Sequence, residues 1–232
     1  MEIIVYELKT KIYLLEDIPY QKIQSVLSSY MDRCLGQSKE FLEFHKEKKY
    51  KNYVFSNPFP LEKDGIYKEG KVYTITIRTV AKELADYLNK ELPVIYTNWV
   101  KGLTCEKRIL PRKILEKVYT ITPVVLKNNE GYWRKCVSIE EFEKRLKENL
   151  IKKFEIYTGE KVDRDLLFYR QLEFLNRKPI AMEYKDVRLL GDKVSLIIED
   201  NQQAQDIFYF AIGAGMLENN SRGYGFCNYR WL

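Results

Sequence analysis

Hydrophobic and polar positions alternate from Ile3 to Lys11, which predicts a largely buried opening strand. The period then changes. Ile23, Val26, Leu27, Tyr30, Met31 and Cys34 form one apolar stripe at helical spacing, with Pro19 near the first turn and Gly36 at the end. A shorter helical segment from about Ser38 to Lys49 carries Phe41, Leu42 and Phe44, followed by His45 and a block of lysines. Tyr53, Val54 and Phe55 read as a strand. After turns at Asp64-Gly65 and Glu69-Gly70 come an alternating strand from Lys71 to Arg78, a helix from Val80 to Leu92 and a strand beginning near Pro93 to Tyr96. The order is strand-helix-strand-strand-helix-strand, that of a ferredoxin-like unit.

The second half repeats the order of elements without repeating the sequence. Lys117 to Lys127 is β-branched and strand-like, and Ser138 with Glu141 forms a capping box for a helix whose Phe142, Leu146 and Leu150 face a core. Strands follow near Leu166 to Phe174, Ile180 to Leu189 and Val194 to Glu199. The chain is therefore expected to be α+β, two tandem ferredoxin-like (βαββαβ) domains over residues 1–110 and 111–232, joined by a basic connection around Arg108 to Lys117.

The last helix shows Ala204, Ile207, Phe208, Ala211 and Ile212 on one face, and Gly213 stands where a left-handed cap would stop it. Beyond it run Gly215, a polar loop through Arg222, then Gly223-Tyr224-Gly225-Phe226. Glycines at such spacing let backbone approach a bulky ligand, and successive N–H groups in such turns can form an anion-binding nest beside the Arg222 cation. A glycine-capped helix followed by a hairpin turn accounts for the same residues.

Composition narrows the class. The 232 residues carry 39 Lys plus Arg against 33 Asp plus Glu, a net charge of +6, which favours a polyanionic partner. No apolar run is long enough to span a membrane and the N-terminus alternates like a strand, so a cytoplasmic protein is expected. The four cysteines are widely separated and there is a single histidine, which leaves almost no candidate ligand set for zinc; no metal and no cofactor are expected. Walker, Gly-x-Ser-x-Gly and converging-carboxylate patterns are absent.

What remains for proton transfer near neutral pH is His45. Lys46, Lys48, Lys49 and Lys51 follow it, interleaved with Tyr50 and Tyr53. Cations hold phosphates and rings stack on unpaired bases, although a solvated lysine face shows the same pattern.

The segment of helix, Gly-x-Gly, basic polar loop and Gly-aromatic-Gly-Phe resembles the glycine-rich signature of the repeat-associated CRISPR RNA-binding superfamily. Within it the chain is most similar to the endoribonuclease that processes CRISPR precursor RNA. The resemblance implies a metal-independent cleavage in which a ribose 2′-hydroxyl attacks the adjacent phosphate, leaving a 2′,3′-cyclic phosphate and a 5′-hydroxyl. In that family a tyrosine late in the first helix, a histidine about fifteen residues later and a lysine about six further on act together; here these are Tyr30, His45 and Lys51. By analogy His45 transfers the proton, Tyr30 assists it or orients the 2′-hydroxyl, and Lys51 steadies the transition state, with Lys48 and Lys49 as rivals. Tyr30 also fits the apolar stripe as a core aromatic. RNA-binding candidates are Lys48, Lys49, Gly213, Gly215, Arg222, Gly223 and Gly225. The partner implied is CRISPR repeat RNA, with other subunits of an interference complex or a second copy in a homodimer also allowed, and no membrane. A non-catalytic RNA-binding subunit of such a complex is the alternative that the same fold and glycine loop permit.

Overall fold

The computed structural model describes residues 2–47, 49–184 and 187–232. The first half contains β1 (Tyr6–Leu14), β2 (Ile18–Pro19), α1 (Ile23–Leu35), α2 (Lys39–Lys46), β3 (Tyr53–Phe55), β4 (Ile66–Tyr67), β5 (Val72–Thr79), α3 (Lys82–Glu91) and β6 (Val100–Ile109). The second contains β7 (Leu115–Thr120), α4 (Ile139–Thr158), β8 (Tyr169–Phe174), β9 (Ile180–Tyr184), β10 (Val187–Gly191), β11 (Val194–Ile198), α5 (Gln202–Ala214) and β12 (Cys227–Trp231). The two principal sheets run β3-β5-β1-β6 and β12-β7-β11-β8. All pairings in both are antiparallel. Each places its first strand beside its third and fourth, the arrangement of a ferredoxin-like sheet, so the fold is two such units in tandem.

Local chemistry sets the helix starts. Ser38 caps α2 by accepting from the Phe41 amide, and Ser138 caps α4 by accepting from the Glu141 amide at 3.2 Å. Asn201 caps α5 in the same way through the Ala204 amide.

Several elements depart from the sequence reading: the strand expected over Lys117 to Lys127 is Leu115–Thr120, and the helix expected from Ser38 to Lys49 is Lys39–Lys46. The stretch from Leu92 to Val94 is a 3-10 turn, and the strand starts only at Val100. Pro93 has no N–H to give to a ladder, so the chain turns there. The stretch Ile180 to Leu189 is a separate hairpin, β9 with β10, rather than one strand of the main sheet. It reaches across to the first half, where Met182 is fully buried and the Glu183 amide donates to the Gln21 carbonyl at 2.8 Å. Finally, α5 continues through Gly213 and is capped at Gly215, whose φ is 81°. A Cβ at Gly213 would stand 2.8 Å from Val80 Cγ1, so that glycine is a packing residue and not the cap.

The halves interlock. Ile3, Val5 and Val80 enter the core of the second half, while Val125, Met182 and Tyr224 enter that of the first. Arg78 joins the sheets: its Nε donates to Glu7 Oε2 at 2.8 Å, it donates to the Cys227 carbonyl, and its guanidinium lies 4.5 Å from the Phe226 ring. Burial raises the Glu7 carboxyl, but the Arg78 and Arg108 guanidiniums more than offset it and hold its pKa below the ordinary carboxylate value. Among the described residues no helix is long and apolar enough to cross a membrane.

Candidate active site and RNA interface

Helix α1 presents two faces. Tyr30, Met31 and Cys34 are fully buried, and Asp32 is left at the edge of the core. Helix α2 folds back against α1 and α3, with the Phe41 ring 4.3 Å from that of Tyr87. This return brings His45 Nε2 to 3.5 Å from Asp32 Oδ1. From the far end of the chain, Arg222 Nη1 donates to Asp32 Oδ2 at 2.6 Å. Lys51 completes the cluster. Its Nζ donates to the carbonyls of Phe44 and Glu47, closing the C-terminus of α2, and lies 4.7 Å from the Phe44 ring centre.

The electrostatics follow from this crowding. Burial pushes the His45 pKa below the usual histidine value; Asp32 opposes the shift, and the Arg222 and Lys51 cations add to it. Imidazole at pH 7 is therefore mainly the neutral, proton-accepting form. Burial also lowers the Lys51 pKa, and the nearby Lys49 charge adds to this while Glu47 opposes it.

The glycine-rich loop is stitched to the first half at three points. Besides Arg222 to Asp32, the Gln24 amide donates to the Gly223 carbonyl at 2.8 Å and the Tyr53 hydroxyl to the Ser221 carbonyl at 3.4 Å. From below, Lys153 Nζ donates to the carbonyls of Gly215 and Leu217 and to Asn220 Oδ1, at 3.0, 2.6 and 2.5 Å. A cavity of about 300 Å³ opens beside the loop, lined by Lys49, Tyr50, Lys51, Lys127, Asn149 and Lys153.

The expected site residues therefore separate. His45, Lys51 and Arg222 converge, and Lys49 borders the cavity with its ammonium 3.3 Å from Glu47 Oε2. Lys48 lies outside the described residues. Of the two readings of Tyr30, the structure places it in the core: it is fully buried and its hydroxyl donates to the Leu92 carbonyl at 2.5 Å. Burial raises its pKa, so the phenol keeps its proton. Gly213, Gly215, Gly223 and Gly225 are all buried and pack closely against other parts of the chain. At Gly223, for example, φ is 85° and a Cβ would meet the Phe55 ring at 2.5 Å. The amides of Gly215, Met216, Arg222, Gly223, Tyr224 and Gly225 donate to carbonyls of the chain, so these groups form no free anion nest. In the basic connection, Lys107 pairs with Asp86, Arg108 with Glu7 and Arg112 with Asp206.

Two residues escaped sequence reading. Asp32 sits one turn from the end of an otherwise ordinary helix, and Lys153 stands in the apolar register of α4, where Leu146, Leu150 and Phe154 are its buried companions. A lysine at a core position of an amphipathic helix is the only signal the sequence offers for the latter.

The fold is thus two tandem ferredoxin-like units with a glycine-rich loop whose Arg222 meets Asp32 beside His45. The family described as CRISPR associated protein Cas6, C-terminal, matches residues 106–229, and the chain belongs to that family. A curated relative from Methanocaldococcus jannaschii, named CRISPR-associated endoribonuclease Cas6 2, is 24% identical over 233 residues, covering 92% of this chain and 95% of its own. Among solved structures, one described as CRISPR associated protein Cas6 superposes with a TM-score of 0.70 at 21% identity, covering 97% of this chain and 99% of that one. Another, described as a RAMP protein binding different RNA substrates, gives 0.70 at 14% identity with the same coverage.

Proposed function

We propose that the chain is a metal-independent endoribonuclease that cuts CRISPR precursor RNA within its repeats to release guide RNAs. The observation that supports this most directly is the convergence of His45, the one histidine of the chain, with Arg222 around Asp32, and with Lys51, which itself lines a cavity shared by both halves. Neutral His45 takes the proton of the 2′-hydroxyl as that oxygen attacks the adjacent phosphate; the imidazolium formed can return a proton to the departing 5′-oxygen. Lys51 and Arg222 bear the positive charge that the dianionic transition state requires, in a site where part of the water has been excluded. The bond to the 5′-oxygen breaks as the bond from the 2′-oxygen forms, so the products are a 2′,3′-cyclic phosphate and a 5′-hydroxyl.

RNA affinity comes from phosphate contacts by Arg222, Lys49 and Lys51 and from the 219–222 segment at the surface of the loop. The test is cleavage of labelled repeat RNA in excess EDTA by wild type and His45→Ala. Wild type should cut at one position with a cyclic-phosphate end, and the variant should bind RNA while losing at least about a hundredfold in rate. Binding without cutting by wild type across several repeats would favour a non-catalytic RNA-binding subunit.

A further inference from the structure

Asp32 occupies a position that helix energetics disfavour. It lies in the last turn of α1, where the helix macrodipole is negative and a second negative charge is unwelcome. Its two oxygens show what holds it there. Oδ2 accepts from Arg222 Nη1 at 2.6 Å. Oδ1 is buried, has no hydrogen-bond partner among the described protein atoms, and stands 3.5 Å from His45 Nε2. A desolvated carboxylate oxygen facing an imidazole nitrogen, with no other donor bonded to it among the described residues, is suited to take the Nε2–H.

We propose that Asp32 is the positioning residue of this site, orienting His45 through Oδ1 and Arg222 through Oδ2 so that one carboxylate sets base and cation in a fixed relation. The inference rests on the reading of His45 as the proton-transfer group. With Nε2–H committed to Asp32, the tautomer is fixed and Nδ1 carries the lone pair that accepts the substrate proton. When His45 becomes imidazolium, the charged Nε2–H and the carboxylate draw closer, which stabilises the form present after proton transfer. Asp32 itself never takes the proton. Its second oxygen keeps the Arg222 guanidinium extended from the glycine-rich loop toward His45, in a contact between the halves that the Gln24 and Tyr53 hydrogen bonds hold independently. Among the described residues, the charged groups that face His45 are Asp32 from α1, Arg222 from the glycine-rich loop and Lys51 from the segment after α2, with the Tyr53 hydroxyl near Asp32.

The single histidine allows a clean test in the full chain. The His45 imidazole is titrated by NMR in wild type, Asp32→Asn and Arg222→Gln, and single-turnover cleavage of saturating repeat RNA in EDTA is followed across the same pH range. Removing the carboxylate should lower the His45 pKa by about one pH unit, and removing the guanidinium should raise it. Asp32→Asn should slow cleavage at least about tenfold and move the acid limb of the rate profile downward, with RNA affinity largely kept and with partial recovery in Asp32→Glu. An unchanged His45 titration in both variants would overturn the proposal, as would loss of cleavage by Asp32→Asn strictly in proportion to loss of binding. If wild type does not cut RNA yet the two titrations move in opposite directions, the positioning of His45 stands and the nuclease reading falls.

Discussion

Lys153 Nζ donates to Asn220 Oδ1 at 2.5 Å, which anchors the glycine-rich loop from beneath by a lysine only 2% exposed. All three atoms around the ammonium are oxygens that accept, the other two being the carbonyls of Gly215 and Leu217. Lys153→Met keeps the volume of the side chain but leaves those oxygens without a donor. It should lower stability by at least about 2 kcal/mol in urea unfolding and weaken RNA binding by freeing the loop. A variant as stable as wild type would show that the loop holds itself.

The same residue makes stability depend on pH. Burial pushes the Lys153 pKa down to about 7, against 10.5 for a free lysine. Between these values the unfolded chain binds more protons than the folded one, so this group makes stability rise with pH from about 7 toward 10.5. Lys153→Met should flatten that rise, as followed by the urea midpoint at several pH values. An identical slope in the variant would assign the dependence to other groups.

Tyr30→Phe separates a core role from a catalytic one. The substitution removes only the hydroxyl that donates to the Leu92 carbonyl, and it should cost about 1–3 kcal/mol of stability while cleavage under saturating RNA stays within the same order of magnitude. A collapse of the rate with intact folding would return Tyr30 to the reaction.

Gly223 lies in the left-handed region with its Cα hydrogen against Phe55. Gly223→Ala adds a methyl group where the Phe55 ring already stands and forces an unfavourable backbone angle, and it should destabilise the protein by about 1–3 kcal/mol or more. Because the loop loses its seat on the first half, RNA affinity should fall with it. Full stability in thermal unfolding would refute the packing role.

Arg222→Ala should weaken RNA binding and reduce the slope of log affinity against log salt by about 1, the signature of one lost phosphate contact. An unchanged slope would mean that Arg222 is spent entirely on Asp32.

Much of the architecture was legible in the chain because it is written in local chemistry. The stripe from Ile23 to Cys34 gave α1, the Ser138 and Glu141 box gave the start of α4, and alternation gave β5 and β11. Where reading failed, a non-local partner decided. Ile180 to Leu189 alternates as any strand does, and only the fit of Met182 into the first half tells that it leaves the main sheet. Gly213 looked like a cap because glycine is common there, yet what requires glycine is the approach of Val5 and Val80, more than a hundred residues away in sequence.

The sequence by itself determined the two ferredoxin-like units, the family signature and the candidacy of His45 and Lys51, since periodicity, caps and residue chemistry are properties of neighbouring positions. Arg222 was a candidate from its place in the loop and Tyr30 from its place in the stripe; only the tertiary structure showed that the Tyr30 hydroxyl is committed to the Leu92 carbonyl, that Arg222 meets Asp32 beside His45, and that Lys153 lies under the loop. The distance in sequence from Asp32 to Arg222 is 190 residues, and no local pattern marks either as the partner of the other. Their meeting is fixed by the packing of the two halves, which α1, β3 and the glycine-rich loop bring into contact.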